Sequence, residues 1–116
     1  DMTTPPVGKG DLVIVTAGQG WLDTAETFMK IAKGAGATTA IVTAQPGGRG
    51  AKKADVKLVI PAQTLANDQG SKVSVLPMGS LFEISEAIVF ELIILKLRER
   101  VGETAASMRA RHTNLE

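Results

Sequence analysis

Three stretches of this 116-residue chain hold residues able to do chemistry. The first is Thr16-Ala17-Gly18-Gln19-Gly20-Trp21, which follows the apolar run Leu12-Val13-Ile14-Val15 and precedes a helical pattern. Glycines let the backbone approach a ligand, and a helix start offers free N–H groups, so a phosphate is the natural guest of such a loop. A nucleotide P-loop is excluded because no Lys and Ser/Thr follow the glycines, and only Gly18 and Gly20 fit a dinucleotide fingerprint. A tight strand-to-helix turn without a ligand explains the loop equally well. The second stretch is Pro77-Met78-Gly79-Ser80-Leu81-Phe82-Glu83. It places Glu83 in the first turn of an apolar helix, at a boundary between core and cleft. Burial there would raise a carboxyl pKa toward the range of a general base. The simpler reading is that Glu83 completes a capping box with Ser80. The third stretch is the tail Arg109-Ala110-Arg111-His112-Thr113-Asn114-Leu115-Glu116. Imidazole is the side chain whose ordinary pKa lies nearest neutrality, so His112 beside Glu83 would complete a pair for proton transfer next to a carbonyl.

Composition removes other chemistries. The chain has no Cys and one His, which excludes disulfides, thiolate catalysis and multi-histidine metal sites within one chain. A net charge of +1 and 3% aromatic residues give no case for nucleic acid or an anionic membrane. The absence of Cys fits a reducing compartment, and a cytoplasmic location is expected. The most apolar stretch, Leu81 to Leu97, contains Glu83, Glu86, Glu91 and Lys96. It therefore lacks the roughly 18 uncharged residues of a membrane span.

These groups need a frame. Leu12–Val15 reads as a buried strand, and Asp23 or Thr24 could cap a helix running to about Lys33. That helix has Phe28, Ile31 and Ala32 as its apolar stripe and ends at Gly34 and Gly36. Thr38–Thr43 is a second strand, Pro46-Gly47-Gly48 a turn, Ala51 to Lys53 a short helix and Val56–Ile60 a third strand stopped by Pro61. Such alternation predicts parallel βαβ units in an α/β fold. A long helix begins near Gly79-Ser80 and runs to about Val101. Gly102 breaks it, and a last helix covers Glu103 to about Arg111, with Thr104 near its start. The long helix is apolar nearly all round, which predicts a homo-oligomer that buries it, and three strands leave a thin sheet with an exposed edge.

Together the motifs resemble the sugar isomerase (SIS) domain, and within it the 6-phospho-3-hexuloisomerases. The resemblance runs from Thr3-Thr4-Pro5 and Gly10-Asp11-Leu12 through Ile60-Pro61-Ala62-Gln63-Thr64 and Gly70-Ser71-Lys72. It continues through Pro77-Met78-Gly79-Ser80-Leu81-Phe82-Glu83 to the Arg111-His112-Thr113-Asn114-Leu115-Glu116 ending. It implies a flavodoxin-like parallel sheet flanked by helices, of which this chain (residues 1–116) is the C-terminal portion of a single domain. It implies dimers or tetramers, no metal or redox cofactor, and a phosphorylated sugar as partner. The implied reaction interconverts a 3-hexulose 6-phosphate and fructose 6-phosphate through an enediol. Glu83 would be the base, and His112 would assist ring opening or carbonyl polarisation. Gly18, Gln19, Gly20, Ser71, Lys72 and Ser80 would hold the substrate and its phosphate. One departure stands out. The family's phosphate loop reads Ser-Gly-Ser-Gly-Glu-Thr, and its three hydroxyl residues are here Ala17, Gln19 and Leu22. Their loss lowers anion affinity by about 1.5–3 kcal/mol for each charged hydrogen bond. A non-catalytic module that binds the same metabolite for regulation is therefore the alternative reading.

Overall fold

The computed structural model describes residues 5–67 and 74–112. Three parallel strands, β1 (Leu12–Thr16), β2 (Thr38–Thr43) and β3 (Val56–Val59), form one sheet in the order β1-β2-β3. Leu12 stands opposite Thr38, and Val42 opposite Leu58. The β-branched run predicted for the second strand matches β2 residue for residue. Helix α1 (Asp23–Gly34) crosses from β1 to β2, and a 3-10 turn (Ala51–Lys53) leads into β3. A second 3-10 turn covers Leu65–Asn67. Helices α2 (Ser80–Arg100) and α3 (Ala105–Arg109) close the chain. This is the expected α/β arrangement of a parallel sheet flanked by helices. Residues up to Ser85 make one compact unit and those from Glu86 onward another. Among the described residues, no helix is long and apolar enough to cross a membrane.

The core of the first unit joins Val15 of β1, Ala17 in the loop after it, Ala25 and Met29 of α1, Ile41 of β2 and Ala51. The buried stripe of α1 is Ala25, Met29 and Ala32; Ala32 is as expected, and Ala25 and Met29 replace the expected Phe28 and Ile31. Phe28 and Ile31 are 56% and 62% exposed, because they lie on a flank of the helix that no described residue covers. The side chains that face the sheet are small at Ala25 and Ala32, and Met29 is unbranched, which lets the helix sit close. Burying Met29 contributes about 1.5–3 kcal/mol. The predicted cap also differs. Leu22 is the N-cap and makes no side-chain cap hydrogen bond, while Asp23 is already helical and pairs with Arg49.

Asp55 ties three elements together. Its carboxylate accepts the Thr39 N–H at 2.9 Å and the Thr39 hydroxyl at 2.8 Å, and it pairs with Lys33 Nζ at 2.7 Å. Lys33 chiefly, and then Thr39, hold its pKa at about 2, below the ordinary 3.8. The unfolded chain therefore takes up this proton first. The stabilisation is complete above pH 3.8 and is lost as pH falls toward 2. Asp55→Asn is expected to flatten that acid limb when urea midpoints are compared across pH. Identical acid sensitivity in the two proteins would refute the assignment.

In the second unit, Gly102 (φ +72°) ends the long helix as expected. Thr104 caps α3 in a capping box with Ser107. Along α2, whose residues up to Ser85 belong to the first unit, only Phe82 is buried; Ile84, Ile88, Leu92 and Leu97 are exposed in the single chain.

Candidate active site

In a parallel sheet, the loops that leave the C-terminal ends of adjacent strands share one edge, and ligands of open α/β folds bind there. The loop after β1 is held at that edge by its backbone. Ala17 N–H donates to Val42 O (3.0 Å), Gly20 N–H to Ala17 O (2.8 Å) and Ala44 N–H to Gly18 O (3.0 Å). The Thr43 hydroxyl donates to Gly18 O at 3.2 Å. The loop after β2 presses against it: Gly50 and Ala51 N–H both donate to Gly20 O at 3.0 Å. Gly20 has φ +82°, and a Cβ there would lie 2.4 Å from Gln45 O.

Gly18 faces the start of the long helix. A Cβ on Gly18 would stand 2.9 Å from Phe82 Cδ1 and 3.1 Å from Thr64 Cγ2. Phe82 and Thr64 are both buried, and Glu83 follows Phe82 on α2. The entry to α2 turns through two consecutive left-handed residues, Met78 (φ 58°) and Gly79 (φ +82°). Such a conformation costs a non-glycine residue about 1–2 kcal/mol and concentrates at functional sites. Gly79 packs tightly here too, since a Cβ would come 2.9 Å from Leu65 N. The loop after β1, the segment at Thr64-Leu65 and the mouth of α2 are therefore one packed cluster within the first unit.

The expected site residues fare differently within it. Gly18 and Gly20 lie in the loop after β1, where the Gly20 N–H is donated to Ala17 O and Gly18 O accepts from Ala44 N–H. The Gln19 side-chain amide donates one of its two N–H groups to Trp21 O at 3.1 Å. The capping box expected at Ser80 and Glu83 does not form. The left-handed corner brings Pro77 O to the Ser80 hydroxyl, which donates to it at 2.8 Å, and Glu83 N–H donates to Gly79 O at 3.3 Å. Glu83 is exposed, so the burial expected for its carboxyl is not found among the described residues. His112 lies in the second unit just beyond α3, where its main-chain N–H donates to Arg109 O at 3.1 Å. Ser71 and Lys72 fall outside the described residues.

Arg49 was not singled out from the sequence. Its guanidinium lies 4.8 Å from the Trp21 ring centroid, donates from Nε to Glu26 at 2.8 Å and pairs with Asp23. The available signal was topological: parallel neighbours β1 and β2 bring their following loops together. A cavity of about 700 Å3 runs beside α1, lined by Asp23, Glu26, Lys30 and Lys53 among others. It follows the flank of the helix rather than the strand-end cluster, so we place the candidate site at the cluster.

No family model matches the chain. Relatives do. Over its whole length the chain is 34% identical to 3-hexulose-6-phosphate isomerase of Bacillus subtilis (strain 168), covering 63% of that protein. It is 35% identical to the protein of the same name from Methylomonas aminofaciens, again covering 63%, and 36% identical to that from Mycobacterium gastri, covering 58%. A crystal structure of a hypothetical protein from Methanococcus jannaschii, described as inferring a molecular function of 3-hexulose-6-phosphate isomerase, superposes with TM-score 0.82 at 28% identity. The match covers all of this chain and 60% of that one. A second crystal structure, at 24% identity and TM-score 0.83, shares the fold. In sequence and in fold, then, this chain is a relative of the SIS-type 3-hexulose-6-phosphate isomerases, and it spans about three fifths of the length of those it matches.

Proposed function

We propose that the chain is the C-terminal portion of a SIS domain that isomerises a phosphorylated sugar, interconverting a 3-hexulose 6-phosphate and fructose 6-phosphate. The reaction moves one hydrogen between neighbouring carbons. A base takes the proton from C2 while the C3 carbonyl oxygen gains one, which gives a 2,3-enediol. The O2 proton then leaves and C3 is protonated, so that the carbonyl ends at C2. Glu83 is the base. His112 assists ring opening or polarises the carbonyl, in an assembly of two or four chains. Gly18, Gly20 and their loop receive the phosphate, with Gln19, Ser71, Lys72 and Ser80 as further substrate contacts. The close approach of Gly18 to Phe82 carries this reading, because it joins the anion loop to the helix turn that bears Glu83. The names of the curated relatives support the substrate class.

The test is isotope exchange. The protein given fructose 6-phosphate in deuterium oxide is expected to place deuterium at C3 and at C2 of the product. Phosphosugar binding without exchange would favour a non-catalytic module. The hydrogen bond from Gln19 to Trp21 O favours that second reading, since it ties up one of the two side-chain N–H groups that Gln19 brings to the loop.

A further inference from the structure

The loop from Ala17 to Leu22 contains no hydroxyl side chain, and the Gln19 amide is turned onto Trp21 O. With the Ala17 and Gly20 N–H groups donated to Val42 O and Ala17 O, its attraction for an anion rests on the remaining loop N–H groups and on the local field. That field has an adverse component. Asp23 and Glu26 lie in the first turn of α1, where they favour the helix but repel an anion at the same end.

Both carboxylates are answered from the loop after β2. Arg49 pairs with Asp23, donates to Glu26 at 2.8 Å and covers the Trp21 ring. Lys53 adds a second cation on Glu26 at 2.5 Å. The segment carrying Arg49 is pressed onto the anion loop, since a Cβ on Gly48 would lie 2.4 Å from Gly20 O. These contacts place the Arg49 guanidinium at the exit of the loop, next to Gly18–Gly20.

We propose that Arg49 is a positioning residue of the anion loop: stacked on Trp21 and paired with Asp23 and Glu26, it offsets the first-turn carboxylates so that the Gly18–Gly20 backbone can hold a sugar phosphate. This inference rests on the proposed function above, which places the phosphate at that loop. The probe is inorganic phosphate, titrated into the protein while the amide signals of Gly18, Gln19 and Gly20 are followed. Arg49→Met is expected to weaken phosphate binding about tenfold through the uncovered negative field. Removing that field in the triple variant Arg49→Met/Asp23→Asn/Glu26→Gln returns affinity to within about threefold of the parent, a rescue that a purely structural role would not produce. Unchanged binding in Arg49→Met overturns the proposal. So does a loss that the triple variant fails to restore, because Arg49 then acts through the loop shape or the anion itself. A parent that binds phosphate but exchanges no deuterium defeats the isomerase reading and leaves the role of Arg49 standing. A parent with no phosphate-dependent shift at Gly18–Gly20 defeats both.

Discussion

Glu83→Gln is expected to slow deuterium exchange at C2 and C3 by about 10²–10⁴-fold, the usual contribution of a positioned general base. Glutamine keeps the length and shape of the side chain but cannot accept the proton. Glu83 is exposed at the first turn of α2, and its main-chain N–H bond to Gly79 O does not depend on the side chain. Replacement should therefore change stability by less than about 0.5 kcal/mol, as for other surface positions. Phosphosugar affinity should stay within about threefold, because the phosphate is assigned to the loop after β1 and only the transition-state interaction is removed. The split between turnover and binding is the decisive feature. A variant that exchanges deuterium as fast as the parent would take the base assignment away from Glu83. One that loses binding in parallel with exchange would make Glu83 a substrate ligand instead.

Elements with a one-sided local signal were legible in the sequence. Thr38–Thr43 is β-branched and bounded by Gly36 and Pro46, so its only stable use is a strand, and its bounds came out unchanged. Thr104 and Ser107 form a local cap that needs no knowledge of the rest of the chain. Where tertiary packing decides, the reading failed. Helix α1 has apolar residues on two flanks, and periodicity alone placed Ala32 correctly but favoured the larger Phe28 and Ile31 over the buried Ala25 and Met29. The Ser80–Glu83 spacing suits a capping box, but Met78 in a left-handed conformation redirects the hydroxyl to Pro77 O. In the site, the Gly18–Gly20 loop was visible because a strand, two glycines and a helix follow in order. The contacts of Gly18 with Phe82 and Thr64 were not, since these residues are 64 and 46 positions further along the chain. Arg49 needed the strand order itself, which no local pattern encodes.

Gly20→Ala is expected to destabilise the protein by about 3 kcal/mol, through left-handed strain and overpacking together. The backbone at Gly20 has φ +82°, which an L side chain rarely adopts, and the new methyl would lie 2.4 Å from Gln45 O. No flexible side chain can yield there, because the obstacle is the main chain of the neighbouring loop. Relief requires moving Gln45–Gly48 away from Gly20, which would break the Gly50 and Ala51 bonds to Gly20 O and loosen the loop after β1. Gly48→Ala meets the same contact from the other side, with its Cβ 2.4 Å from Gly20 O, and should be damaging for the same reason. Gly34, the last residue of α1, is the contrasting case. A Cβ there meets nothing within 4 Å, and its φ is not left-handed, so Gly34→Ala should stabilise by about 0.5–1 kcal/mol. Urea midpoints that fall steeply for Gly20→Ala and rise slightly for Gly34→Ala would place the constraint in the strand-end contact. Two equally mild effects would show that the loops after β1 and β2 are not pressed together in solution, and the cradle assigned to the phosphate would lose its floor.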